Sequence, residues 1–213
     1  MNIALIGASG FIGSALREEA LSRGHSVTAL VSRPEKLAAQ PGLSASKVDV
    51  QDTAALSKSL QGFDAVVSAF SGHAQQNVLG YYSNGVDSIL SAAKAAGVKR
   101  LLMVGGAGSL EVAPGVQLID TPEFPAEYKE TAEGARYALN TLRAQSDVSW
   151  TMLSPAAVIA PGERTGRYQL GTDQLLTDTA GNSQISVEDY AKALIDELES
   201  PQHINSRFTL AYA

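Results

Sequence analysis

Residues 1–13 read MNIALIGASGFIG. Asn2–Ile6 is a short apolar run of the kind that forms a buried strand, and three glycines follow it at Gly7, Gly10 and Gly13. Their G-x-x-G-x-x-G spacing departs from the better known G-x-G-x-x-G fingerprint but keeps its context, because a helical pattern over Gly10–Arg23 comes next, with Gly24 as its stop. In that setting Gly7 permits the tight turn, Gly10 lets a ligand approach the backbone, and Gly13 lets helix and strand pack closely. The loop Gly7, Ala8, Ser9, Gly10, Phe11, Ile12, Gly13 is therefore expected to hold a dinucleotide pyrophosphate against the free N–H groups of the first helical turn.

Outward from this loop, apolar runs alternate with helical patterns. Further strands are predicted at Ser26–Val31, Ser46–Val50, Ala65–Ala69, Val98–Val104, Ser149–Leu153 and Arg207–Tyr212. Helices are predicted at Pro34–Ala39, Thr53–Leu60, Asn77–Ala96, Ala126–Gln145 and Val187–Leu198. The alternation predicts an α/β fold of the Rossmann type: one doubly wound, mainly parallel seven-stranded sheet over residues 1–213 with helices on both faces. Residues 154–213 form a small substrate-side extension in this reading. Ligands of such sheets bind at the carboxyl ends of the strands.

The remaining composition narrows the options. With 213 residues, one domain suffices and buries about 70% of its potential surface. A net charge of −6 and no basic stripe speak against nucleic acid and membrane surfaces as partners. The chain has no cysteine, which removes thiolate chemistry and fits a reducing, cytoplasmic setting. His25, His73 and His203 are too far apart in sequence to suggest a metal site. Nothing in the pattern distinguishes a monomer from a homodimer.

The end of the second strand chooses between nicotinamide cofactors. An acidic residue there would accept from the ribose 2′-hydroxyl of NAD, but the stretch reads Leu30-Val31-Ser32-Arg33-Pro34. Arg33 can pair with a 2′-phosphate and Ser32 can donate to it, so NADP(H) is preferred and NAD(H) is the alternative. Asp49 and Val50 end the third strand, where Asp49 either accepts from the adenine amino group or caps the next turn. Ala69, Phe70 and Ser71 follow the fourth strand and are expected to line the groove beside the ribose.

These stretches resemble the short-chain dehydrogenase/reductase superfamily in its extended, atypical branch, over essentially the whole chain. GASGFIG is similar to that branch's nucleotide loop, VSRPEKL to the segment after its second strand, and KVDVQD to its adenine loop. WTMLSPAAVIAPGERTGRY and ISVEDYAKALIDELESPQH resemble the group of NAD(P)H-flavin reductases, related to biliverdin/flavin reductases and to nitrogen-metabolite-repressor-like proteins. The resemblance implies a nicotinamide cofactor and a Tyr-x-x-x-Lys signature with a nearby Ser. Lys129 fits the Lys position, where it would also hold the ribose, and Ser109 is the Ser candidate. Four residues before Lys129, however, stands Pro125. Tyr128 is adjacent to Lys129, and neighbours on a helix point about 100° apart, so the two are no simple substitute.

Reduction of a ketone needs a positioned acid, worth typically 10²–10⁴-fold. A flavin-like or quinone-like acceptor delocalises the incoming charge and needs mainly stacking and exclusion of water. The expected activity is therefore hydride transfer from NADPH to such a small molecule, with protonation left to solvent. A non-catalytic NADP(H) sensor and an atypical dehydrogenase or epimerase using Ser109 with Tyr128 or Tyr168 are the alternatives. On the substrate side, Pro155 and Ala156 are expected to meet the carboxamide through backbone groups. Arg164 or Arg167 can hold an anion, and Tyr168 can stack. His73 also follows a cofactor-side loop, although a plain surface histidine is the simpler reading.

Overall fold

The computed structural model describes residues 1–73 and 75–213. Its eight-stranded sheet is built from β1 (Asn2–Ile6), β2 (Ser26–Val31), β3 (Leu43–Lys47), β4 (Ala65–Ser68), β5 (Arg100–Val104), β8 (Ser149–Ser154), β10 (Gln169–Gly171) and β12 (Ser206–Ala211). Their order across the sheet is β3-β2-β1-β4-β5-β8-β12-β10. Seven run parallel, and β10 pairs antiparallel with β12 at the edge. The expected seven strands are thus joined by an eighth from the Gly-rich stretch. Outside the sheet, β6 (Glu111–Ala113) and β7 (Val116–Gln117) make a hairpin, and β9 (Val158–Ala160) pairs parallel with β11 (Gln184–Ser186).

The alternation of side chains along β1 explains the layers. Ile3 and Leu5 face one side and pack with Leu16 and Ala20 of α1 (Phe11–Ser22) and Leu194 and Leu198 of α5 (Val187–Glu199). Ala4 and Ile6 face the other, where Leu56 of α2 (Thr53–Ser59), Ile89 of α3 (Val78–Ala95) and Leu142 of α4 (Lys129–Arg143) form a second core. Because α1 covers one face and α3 the other, the strand order reverses between β1 and β4, and their loops open a crevice at that switch point.

Helix starts are fixed by local chemistry. Asp52 caps α2 by accepting from Ala55 N–H (3.0 Å), Asn77 caps α3 at Gly80 N–H (3.0 Å), and Ser186 caps α5 at Asp189 N–H (3.0 Å). Three boundaries differ from expectation. β3 begins and ends earlier than Ser46–Val50, because Val48 N–H makes its bond to Val31 and the chain then turns, sending Val48 and Val50 into the core. Pro34–Lys36 is a single 3₁₀ turn. The helix expected from Ala126 starts with a 3₁₀ turn, and α-helical geometry begins at Lys129. Among the described residues, no helix is long and apolar enough to cross a membrane.

Candidate nucleotide and hydride-transfer site

The three glycines of the first loop do different work. Gly7 lies at φ +78°, and a Cβ there would stand 2.7 Å from the Ala69 carbonyl oxygen. A Cβ on Gly13 would stand 2.0 Å from the Gly7 oxygen, a backbone collision. Both glycines are thus required by the fold itself. Gly10 is not: its φ −78°, ψ 176° suits any residue, and a Cβ would meet only Gly7 O, at 3.4 Å. Its open side faces space that the protein leaves free. Unlike α2, α3 and α5, helix α1 has no side-chain cap. Its first intrahelical bond is Ser14 N–H to Gly10 C=O (2.8 Å), so the N–H groups of Phe11, Ile12 and Gly13 lie ahead of it. Open backbone beside uncapped donors fits a pyrophosphate. Arg17 braces the loop from behind by donating to the Ala8 carbonyl (3.2 Å).

Ser32 and Arg33 are exposed just past β2. The parallel register sets Lys47, the last residue of β3, opposite Val31. A second cation therefore shares this sheet edge with Arg33. Reading β3 as ending at Val50 had hidden it inside a strand. Asp49 Oδ1 accepts from Gln51 N–H (2.9 Å), the turn-capping alternative, and Val50 is buried in the core. After β4, Ala69 N–H is bonded to Ile6 C=O (2.9 Å), which holds the two crevice loops together. The Phe70 ring packs on Tyr81 and Tyr82 (5.4 and 5.9 Å between centroids) and is half-buried, whereas Ser71 is exposed. Burial pushes the Tyr82 phenol up to about 12. Pro155 and Ala156 follow β8 at the same end of the sheet, and both are buried.

Helix α4 departs from the family signature in phase as well as in residue type. Its inward stripe is Thr131, Ala135, Ala138 and Leu142, the last three buried. Lys129 lies about 200° round the helix from Thr131, on the exposed side with Glu133 and Arg136. It therefore does not take the inward position that a ribose-holding lysine needs. Tyr128 precedes the helix and is 56% exposed. Ser109 is buried, and its hydroxyl oxygen accepts from Arg207 (3.3 Å), which also pairs with Asp173. Ser109 thus supports a buried arginine, and an open contact to substrate is not what its surroundings offer.

A sequence model described as NAD(P)H-binding matches residues 7–201. The chain belongs to the NAD(P)H-binding family. It is 44% identical to the uncharacterized protein YwnB of Bacillus subtilis (strain 168), over 99% of this chain and 98% of that protein. A crystal structure from Bacteroides thetaiotaomicron, described as a "putative epimerase", is 46% identical and superposes with a TM-score of 0.93, covering 99% of this chain and 96% of that one. SP1627 of Streptococcus pneumoniae TIGR4, described as a "putative NADH-flavin reductase", is 38% identical over the full length of both chains, with a TM-score of 0.89.

The stretch that carries Arg164, Arg167 and Tyr168 is strapped to the body of the fold. Asp189, fully buried at the start of α5, accepts from Thr165 Oγ1 (2.6 Å), Gly166 N–H (2.7 Å) and Tyr212 OH (2.9 Å). Arg164 makes two bonds to the buried Glu19 (2.8 Å each), committing its guanidinium to the α1 side of the fold. Tyr168 OH reaches Asp196 of α5 (3.4 Å), and burial together with the Asp196 charge pushes its phenol up to about 12. Arg164 and Tyr168 are therefore held against α1 and α5, which corrects the expectation that they meet an acceptor. Arg167 is exposed, with its backbone N–H on Thr165 Oγ1 (3.0 Å).

One contact had no signal in the sequence. His73, after β4, meets Thr131 of α4, with Nδ1 and Oγ1 3.2 Å apart although the residues are 58 positions apart in the chain. Among the described residues, no three His, Asp or Glu side chains come together as a metal site.

Proposed function

We propose that this protein is an NADP(H)-dependent reductase of flavin-like or quinone-like small molecules. The observation that carries the reading is the inward face of α4, where Thr131, Ala135, Ala138 and Leu142 stand and no phenol or ammonium group of the kind that carbonyl, alcohol and epimerase chemistry would use. An acceptor that delocalises charge does not need that pair. The description of the Streptococcus pneumoniae relative agrees with this acceptor class. A bound dihydronicotinamide would supply the hydride. The residues of this chain bind and orient it: the glycine loop and the α1 amides receive the pyrophosphate, and the backbone at Pro155 and Ala156 meets the carboxamide. Arg33 and Lys47, at a β2 end where Leu30–Pro34 contains no acidic residue, favour the 2′-phosphate of NADP(H).

The test is oxidation of NADPH by purified protein with FMN, riboflavin, menadione or dichlorophenolindophenol. Steady turnover well above the protein-free rate supports the reductase. Tight NADPH binding without oxidation of any acceptor refutes it in favour of a sensor.

A further inference from the structure

We propose that His73 is the proton donor in this reduction and that Thr131 positions it; the inference rests on the reductase reading above. His73 leaves the C-terminal end of β4, on one side of the crevice where the strand order reverses. Thr131 sits in the first turn of α4, on the stripe that continues inward as Ala135, Ala138 and Leu142. Their contact brings an imidazole to the end of the sheet where ligands bind, beside the helix that lacks its usual phenol. The other two histidines precede β2 and β12, at the opposite end, and are engaged with Glu199 and Glu197. The ionisable side chains next to Thr131 in the chain are Lys129, Glu130 and Glu133 of α4, with Tyr128 just before the helix, and those in the first turns of α3 are Tyr81 and Tyr82. Among the described residues, the hydrogen-bond partner of His73 is Thr131.

The pairing suits a group that must give up a proton and regain it. A threonine hydroxyl can accept from Nδ1–H of an imidazolium and can donate to Nδ1 of a neutral ring. Thr131 therefore holds the ring in both states and leaves Nε2 for the acceptor. In the proposed step the electron pair comes from the dihydronicotinamide, which is oxidised as its hydride passes to the acceptor. The Nε2–H bond of His73 breaks as an N–H or O–H bond forms on the reduced acceptor, and water reprotonates the imidazole.

The experiment compares wild type, His73→Gln, His73→Ala, Thr131→Val, Thr131→Ser and Tyr128→Phe. NADPH affinity, NADPH oxidation with FMN and menadione, and histidine-ring NMR of the nucleotide-free protein are the readouts. H73Q is expected to bind NADPH within about twofold of wild type and to lose about 10²-fold or more in kcat. Its activity should no longer fall as pH rises through the imidazole range. Added imidazole should restore H73A, which a merely structural histidine would not allow. T131S should keep the wild-type pH profile. T131V should flatten it and shift the His73 ring resonances in the nucleotide-free protein. Unchanged kcat and pH profile in H73Q, or a loss in Y128F with none in H73Q, overturns the proposal while leaving the reductase reading intact. Ring resonances of His73 that ignore T131V overturn the positioning role. Wild-type protein that binds NADPH and reduces no acceptor overturns the reductase reading, and this proposal with it.

Discussion

Replacing Gly10 by alanine separates the ligand's demands on the first loop from those of the fold. The new methyl would stand 3.4 Å from Gly7 O with nothing else within 4 Å, and φ −78°, ψ 176° is open to alanine. Losing glycine at the N-cap costs a few tenths to about 1 kcal/mol, and the stiffer unfolded chain returns about 0.4–1 kcal/mol. The melting temperature should therefore stay within about 3 °C of wild type. NADPH faces a different balance, since the methyl occupies the open side of the loop and moves the pyrophosphate away from the amides of α1. Losing one charge-assisted hydrogen bond of about 1.5–3 kcal/mol weakens binding about 10- to 150-fold. Gly13→Ala is the contrasting variant. Its Cβ would lie 2.0 Å from Gly7 O, so backbone must move, and at least about 1–3 kcal/mol of stability should go. Thermal melting and NADPH fluorescence titration on the same samples give both numbers. A G10A protein that melts like wild type and binds NADPH equally well would refute the assignment of this loop to the pyrophosphate.

Three further outcomes are expected. Arg33→Glu should weaken NADPH at least tenfold while leaving NADH within a fewfold, read as a ratio of dissociation constants; an unchanged ratio removes Arg33 from the 2′-phosphate site. Burial raises the Glu19 carboxyl, but hydrogen bonds from Arg164 and Arg23 outweigh it and hold the group below its usual range. A lowered folded value means the stabilisation is complete above about pH 4.3 and fades as pH falls through the folded value. Glu19→Gln should thus cost about 1–3 kcal/mol at pH 7 and show a shallower loss of melting temperature between pH 5 and 3 than wild type. Asp189→Asn should loosen residues 162–168, and trypsin should then cut after Arg164 or Arg167 faster than in wild type; equal nicking rates would show that Asp189 does not hold the strap.

The legible parts of this protein are those set by neighbours in the chain. Gly7 and Gly13 announce a strand–turn–helix because each must be glycine for the backbone to close, and the two strand faces follow from alternation in IALI. Arg33 could be placed just past β2 from the chain alone, although Lys47 could not be placed at that edge, since its position depends on where β3 stops pairing with β2. Lys129 was misplaced for a related reason: the 3₁₀ turn at Ala126–Tyr128 resets the phase of α4, so counting residues back from a lysine gives the wrong face. Arg164 and Tyr168 read as substrate-side residues because the partners that hold them, Glu19 and Asp196, are far off in the chain.

By itself, then, the sequence determined the wound α/β architecture, the dinucleotide loop and the absence of the usual phenol, all of which rest on backbone sterics, hydrophobic alternation and residue identity within short windows. Only the tertiary structure decided which side chains face the crevice. Helix phase is fixed by packing, here of Gly134 against the Tyr82 ring and Ala135 against Gly106. The meeting of His73 with Thr131 depends on the loop after β4 and the start of α4 being brought to one end of the sheet by strands that pair in an order unlike their order in the chain.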